Sequence, residues 1–376
     1  MGCTGSKAAG LTTNEIDAQL QREAESAKNV FKVLTLGPGE SGKSTLMKQL
    51  EFIYLGTESM SKAKLETIYP QALNRNAMES MAKLLSVMEE RGLHCADPSL
   101  EPLRAVVMGY TESQQLPEEE AKHLGLLPGR NTPRMTREQG KAVAALWKDE
   151  TVREVYKDRS TFWMLDGAEY YFENCERFLE FSKTNFPTEE DILQARVRTT
   201  GAYSADFKEG PYTFSVWDVG GQRSERKKWM GMLDDCKAVI FVISLKGYAQ
   251  VLYEDSDVLR MQEALTLFKT LNDNPQFDTI PFFVYFNKKD LFLEEIKQTS
   301  LKKCFPEYDG PDGEAEPALE YIQKIFLDTL KNSRRSEKQF RPCTMCIQER
   351  SQVQVYFQQT RDLIMQHYAM GTPKIE

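Results

Sequence analysis

The sequence predicts an α/β fold: a mostly parallel, doubly wound sheet interrupted by an inserted all-helical domain. Three observations predict it. Apolar runs of strand length, "VLTL", "YTFSVW", "AVIFVIS" and "PFFVYF", each stop at a polar, glycine-bearing or charged cluster, as strands do where a sheet presents a ligand at its carboxyl ends. Helical stretches such as "DSDVLRMQEALTLFKTLND" lie between them and have the length that crossovers between parallel strands require. From about residue 58 to 190 this alternation stops. There Leu, Met, Glu, Ala and Lys dominate, and stretches such as "ESMAKLLSVMEE" and "YYFENCERFLEF" carry helical periodicity with little sign of strands. The expected division is an N-terminal arm at 1–30, a sheet domain built from 31–57 and 191–376, and a helical insert at 58–190.

Composition narrows the function before any motif does. The 376 residues are 28% charged and 41% hydrophobic with a net charge of −8, which argues against a nucleic-acid surface and its clustered basic residues. No apolar stretch approaches a membrane span, and no secretory apolar region follows Met1. The seven cysteines, at 3, 95, 175, 236, 304, 343 and 346, lack the paired spacing of a zinc site, the lone C-x-x-C at 343–346 included. A reducing cytoplasm suits this usage, with most thiols acting as small buried hydrophobes.

Taken in chain order, the first element is "MGCTGS". It offers Gly2 for myristate, Ser6 where that signal wants a hydroxyl, and Cys3 for palmitate. Two lipids matter physically, because one myristoyl chain anchors only marginally. The following helix starts at a possible capping box, Thr12 to Glu15. Its apolar stripe is narrow, so it is a solvated arm or a surface for a partner.

"GPGESGKST" at 37–45 comes next, directly behind a strand and ahead of the helix "STLMKQLEFIY". Its G-x-x-x-x-G-K-[ST] spacing folds backbone amides around phosphate oxygens at the positive end of that helix. Lys43 reaches the outer phosphates and Ser44 offers its hydroxyl to Mg²⁺. A glycine turn is the plainer alternative; the full spacing and both flanks favour phosphate. Beyond the insert, "DVGGQ" places Asp218 just after a strand, suited to hold Mg²⁺ through water. Gly221 brings an amide to a γ-phosphate, and Gln222 orients an attacking water. "NKKD" supplies Asn287 and Asp290 after another strand. The Asp290 carboxylate accepts hydrogen bonds from guanine N1 and its 2-amino group, an arrangement adenine lacks.

Over nearly its whole length the chain resembles the α subunits of heterotrimeric G proteins. "DILQARVRTTG" at 191–201 discriminates, since small Ras-type GTPases lack both this arginine-bearing motif and a large helical insert. The resemblance implies a Ras-like P-loop GTPase domain, GTP and GDP as substrate and product, and Mg²⁺. It implies Arg196 as the catalytic arginine, Thr199 as a second Mg²⁺ ligand beside Ser44, and Glu40 as the resting partner of Arg196. A surface salt bridge is the plainer reading of Arg196, yet an always-charged planar guanidinium suits charge developing on a transferred phosphoryl group. "STFWMLDGAEYYF" resembles the family stretch facing the nucleotide, so Asp166 is expected to pair with Lys288 across the two domains. Such an exposed pair would be a latch of little weight in stability. The implied partners are a βγ dimer, a G-protein-coupled receptor, effectors and regulators of G-protein signalling. The implied location is the cytoplasmic face of the plasma membrane. A membrane-bound nucleotide scaffold with little turnover is the alternative reading, and an ATP-driven P-loop enzyme is disfavoured by Asn287 and Asp290.

Three departures stand out. Pro38 donates no amide, which moves the expected phosphate cradle to the run Glu40, Ser41, Gly42, Lys43, Ser44 and Thr45. The family's Thr-Cys-Ala-Thr guanine loop aligns with Met345, Cys346, Ile347 and Gln348. The Ile347 amide is expected to reach guanine O6, and its bulkier side chain implies a looser loop and faster GDP release. The tail "YAMGTPKIE" differs from the family's apolar ending, which makes a receptor a less secure partner.

Overall fold

The computed structural model describes residues 29–113, 135–330 and 340–369. The acylation residues Gly2 and Cys3, the Thr12 capping box, the stretch "LLPGRNTPR" and all but the first two residues of "YAMGTPKIE" lie outside them.

In chain order the main elements begin with β1 (Val30–Leu36), α1 (Lys43–Tyr54), α2 (Tyr69–Glu90), α3 (Glu101–Ser113) and α4 (Arg137–Leu146). They continue with α5 (Glu150–Lys157), α6 (Ala168–Phe178), α7 (Glu189–Gln194), β2 (Ala202–Glu209) and β3 (Tyr212–Val219). After β4 (Cys236–Ser244) come α8 (Arg260–Asp273), β5 (Phe282–Asn287) and α9 (Lys289–Glu295), then α10 (Ala315–Asp328), β6 (Phe340–Thr344) and α11 (Arg350–Ala369). The six strands form one sheet in the order β2-β3-β1-β4-β5-β6. Only β2 with β3 is antiparallel; the other pairs are parallel.

Side-chain alternation explains why these segments are strands. Val239, Phe241 and Ile243 of β4 join the core under one face with Leu34 and Leu36. Their neighbours Ala238, Ile240 and Val242 join the core on the other face with Phe31 and Val33. Strands buried on both faces read as continuous apolar runs, so these were legible. β2 and β6 were not. Only Ala205 and Phe207 of β2 are buried, and β6 carries Pro342 opposite Val284. Both are edge strands, where charge and proline are tolerated.

The helical part has its own core, running from Phe52 and Met60 through α2 and α6 to Ile192 and Ala195. It therefore draws on residues beyond both ends of 58–190. Two boundaries also move. Asp218 lies inside β3, paired with Thr35 of β1, because the ladder continues one residue past it. The crossover helix starts at Arg260, since an isolated bridge between Val251 and Leu259 holds the preceding residues in a hairpin-like loop.

Candidate functional site

The loop between β1 and α1 packs against the carboxyl ends of β3 and β5. Gly42 takes φ +111, and a Cβ there would meet Asn287 Nδ2 at 2.2 Å, so only glycine fits both the backbone and the approach. Behind the loop, a Cβ on Gly221 would lie 2.6 Å from the Gly37 carbonyl oxygen and 2.8 Å from that of Pro38. Lys43 is buried, and its ammonium donates to those same carbonyls at 2.9 and 2.8 Å. Burial pulls its pKa down to about 8, with Asp218 opposing the shift.

Three segments converge on one carboxylate. Ser44 Oγ donates to Asp218 Oδ2 at 2.6 Å, Thr199 Oγ1 reaches the same oxygen at 3.2 Å, and the two hydroxyls are 2.8 Å apart. Asp218 Oδ1 is buried with no partner among the described residues. Burial raises the Asp218 pKa against the opposing effects of Lys43, Ser44 and Thr199. Among the described residues no group of three or more His, Cys, Asp or Glu could hold a metal. An all-oxygen set of two hydroxyls and one carboxylate with an unused oxygen suits a hard cation that keeps waters and phosphate oxygens as its other ligands. These residues fit Mg²⁺.

Arg196 follows α7 and is held from several sides. Its amide donates to Asn76 Oδ1 at 2.8 Å, and its carbonyl accepts from Asn76 Nδ2 at 3.3 Å. Its guanidinium bonds the Glu40 carboxylate, whose other oxygen lies 2.6 Å from Arg260 Nη2 as an ion pair. Burial pushes the Glu40 pKa up, but Arg196, Arg260 and Lys288 together hold it below the ordinary carboxylate value. Upstream, a capping box between Thr188 and Asp191 starts α7, and Arg177 and Tyr170 both bond the Asp191 side chain. Lys48 closes the far end by donating to the carbonyls of Ile192 and Ala195, each at 2.7 Å.

These groups surround a cavity of about 480 Å³ walled by Glu40, Gly42, Lys43, Ser44, Thr45, Arg196, Thr199, Gln222, Asn287, Lys288, Asp290, Cys346, Ile347 and Asp166, among others. Ser41, Asp218 and Gly221 do not reach its wall. Gln222 Oε1 and Ser41 Oγ are buried without partners among the described residues, an expensive state for polar atoms unless something else bonds them.

Two expectations change. Asp166 and Lys288 do pair, at 2.6 Å, but their side chains are only 18% and 16% exposed, so the contact is not an exposed one. Gln250 Nε2 also donates to Asp166 at 2.8 Å, and Lys246 Nζ lies 3.8 Å away. Burial acts to raise the Asp166 pKa; Lys288, Lys246 and Arg260 reverse that and drive it well below the usual range. At the guanine loop, the Ile347 amide donates to Asn287 Oδ1 at 2.9 Å, while Asn287 Nδ2 donates to the Ser41 carbonyl at 2.9 Å. The buried Asn287 amide thus ties two loops together, and the Ile347 amide is engaged within the protein, not turned to the cavity. Asp290 is exposed at the cavity wall.

Sequence reasoning missed Asn76, Lys48, Lys246, Gln250, Arg260 and Trp163. Polar residues within apolar helices were the available signal for the first two. The others act through tertiary contacts that no local pattern announces.

A phosphate-type loop, a hydroxyl and carboxylate cluster and a polar cavity at the strand ends define a P-loop nucleotide-binding protein with a helical insert. The model of the G-protein alpha subunit family matches residues 11–364, and the chain belongs to that family. Its place is that of the alpha subunit in heterotrimeric G-protein signalling. It is 40% identical over 337 residues to the "Guanine nucleotide-binding protein alpha-8 subunit" of Dictyostelium discoideum, covering 89% of this chain and 78% of that one. It is 34% identical over 369 residues to the alpha-1 subunit of Mycosarcoma maydis, covering 97% and 98%. With the alpha-7 subunit of Caenorhabditis elegans it shares 36% over 321 residues, covering 85% and 84%. No helix among the described residues is long and apolar enough to cross a membrane.

Proposed function

We propose that this chain is a GTPase switch: it binds GTP in the 480 Å³ cavity, hydrolyses it to GDP and phosphate, and resets. The convergence of Ser44 and Thr199 on Asp218 carries the reading, because it gathers one cation's oxygens beside the P-loop. Ser44 and Thr199 would hold Mg²⁺ directly, and Asp218 through water. Mg²⁺, when bound, neutralises charge on the phosphate oxygens. Lys43 turns from its own loop to the outer phosphates, and the amides from Glu40 to Thr45 cradle them. Gln222 orients the attacking water, and Arg196 leaves Glu40 to meet charge developing on the transferred phosphoryl group. Asp290 selects guanine, with Asn287 holding the P-loop and guanine loop in register. Gly221, packed on the P-loop, couples the γ-phosphate to the segment that follows.

The division into a sheet domain at 31–57 and 191–376 and a helical domain at 58–190 belongs to the same proposal, with the nucleotide enclosed between them. So do the partners: a βγ dimer on the N-terminal arm and on the residues after "DVGGQ", effectors and regulators in the GTP state, and a receptor. Acylation at Gly2 and Cys3 would place the protein at the cytoplasmic face of the plasma membrane. Binding competition tests the base assignment. Wild type is expected to take GTP over ATP by orders of magnitude, and Asp290→Ala to lose most of that preference. Equal affinity for GTP and ATP in the wild type contradicts the reading.

A further inference from the structure

A second cavity of about 250 Å³ adjoins the first, with Arg196, Gln222, Trp163 and Tyr253 on its wall. Trp163, from the helical part, makes three contacts there. Its Nε1–H donates to Glu40 Oε1 at 3.1 Å, the oxygen that Arg196 also bonds. Its ring lies under the Arg196 guanidinium, 5.7 Å from the centroid. It also meets Tyr253 in a T-shaped ring pair with centroids 4.8 Å apart.

Tyr253 is 57% exposed, an unusual setting for a large ring, and it pairs with a residue of the other part of the chain. The loop carrying it is not slack. The Val251–Leu259 bridge closes it, Arg260 bonds the Val251 carbonyl and the Gln250 side chain at its base, and Arg223, next to Gln222, bonds Glu254 and Asp255 beside the ring. A braced loop thus presses an aromatic ring across the cleft onto the tryptophan that supports the Glu40–Arg196 pair. Both members of that pair stand on the wall of the main cavity, one from the P-loop and one from the segment after α7, so together they strap two sides of it.

We infer that Trp163 is a positioning residue, which holds the Glu40–Arg196 strap closed over bound GDP from across the cleft and is itself clamped by Tyr253. This rests on the nucleotide reading above. Trp163 touches the resting Glu40–Arg196 pair, so its loss is expected first in nucleotide release, while Tyr253, one residue further out, separates release from the chemical step. Aromatic pairs and cation–ring contacts of this kind correspond to about two- to tenfold each in a rate they control.

The test is GDP dissociation and single-turnover hydrolysis, measured on wild type, Trp163→Ala, Trp163→Phe, Tyr253→Ala, Tyr253→Phe and the double alanine variant. Trp163→Ala is expected to release GDP about two- to tenfold faster, and Tyr253→Ala at least about twofold faster. Hydrolysis in Tyr253→Ala should stay within about twofold of wild type. Trp163→Phe, which keeps a ring but loses the bond to Glu40, should fall between wild type and alanine, and Tyr253→Phe should behave as wild type. The double variant should release GDP no faster than Trp163→Ala alone, since Tyr253 acts through Trp163. Wild-type release rates in both alanine variants, or a Tyr253 effect that persists in full without Trp163, would overturn the inference. Tyr253 is exposed, so its variants keep the test valid if Trp163→Ala folds poorly. A wild type that holds no GDP would instead remove the nucleotide reading, and this inference with it.

Discussion

Arg196 is fixed at its backbone by Asn76 and at its guanidinium by Glu40, so its placement is prepared before any substrate arrives. Removing such a group affects the transition state more than the ground state. Arg196→Cys is expected to slow hydrolysis about 10²- to 10³-fold, the usual result of deleting one donor to developing charge, with GTP affinity nearly kept. Hydrolysis within about threefold of wild type would remove the assignment. Ile347 supports a second prediction. It is fully buried in the core beside α1 and α11, its Cδ1 lies against Gly42, and the Gln348 carbonyl accepts from Gln49 Nε2 at 2.7 Å. The loop is therefore well packed, and the looseness expected from its composition does not appear. Ile347→Ala should leave a void against the P-loop and speed GDP release; slower release would restore the idea of a misfit loop. Residues of the P-loop, "DVGGQ" and "NKKD" were legible because backbone chemistry fixes their spacing. Asn76, Trp163 and Lys48 were not, because each acts on a residue about 120 or more positions away.

At the scale of elements, α7 is a six-residue helix that leads into Arg196 and then Thr199. Its C-terminal carbonyls are held by the buried Lys48 ammonium, which also lies over the Tyr69 ring at 5.3 Å. Burial lowers the Lys48 pKa from 10.5 to about 7, against opposing effects of Asp218 and Glu51. The sign follows from which state holds the proton. Between pH 7 and 10.5 the folded lysine has lost its proton while the unfolded one keeps it. Stability owed to this site therefore rises with pH through that window. Comparing GDP-loaded wild type with Lys48→Met cancels the other titrating groups. The stability of wild type relative to the variant should increase between about pH 7 and 9. A difference that stays flat or falls would contradict a depressed lysine. The strands β1, β3, β4 and β5 could be read from apolar runs, whereas β2 and β6 could not, since edge strands bury too little to leave a pattern. The start of α8 was misplaced for a related reason: a bridge between distant residues, not local propensity, decides where that helix begins.

Across the whole molecule, Asp166, Lys288, Glu40 and Arg196 join the sheet and helical parts along the wall of the main cavity. Its charges are partly buried, so breaking one partner strands the other. Asp166→Ala is expected to leave Lys288 and Lys246 facing each other and to speed GDP release, and an unchanged release rate would contradict that role. The N-terminal anchor belongs to the same scale. One acyl chain binds membranes reversibly, so Cys3→Ser should release much of the protein to the cytosol, and intact mass showing unmodified Gly2 and Cys3 would end that idea. Hydrolysis is tested most directly by phosphate release from GTP in a single turnover with Mg²⁺, comparing wild type with Gln222→Leu. Wild type is expected to release about one phosphate per protein, with Gln222→Leu binding GTP but releasing phosphate at least about tenfold more slowly. GTP bound by the wild type without phosphate release, or equal release from both proteins, would contradict a GTPase switch.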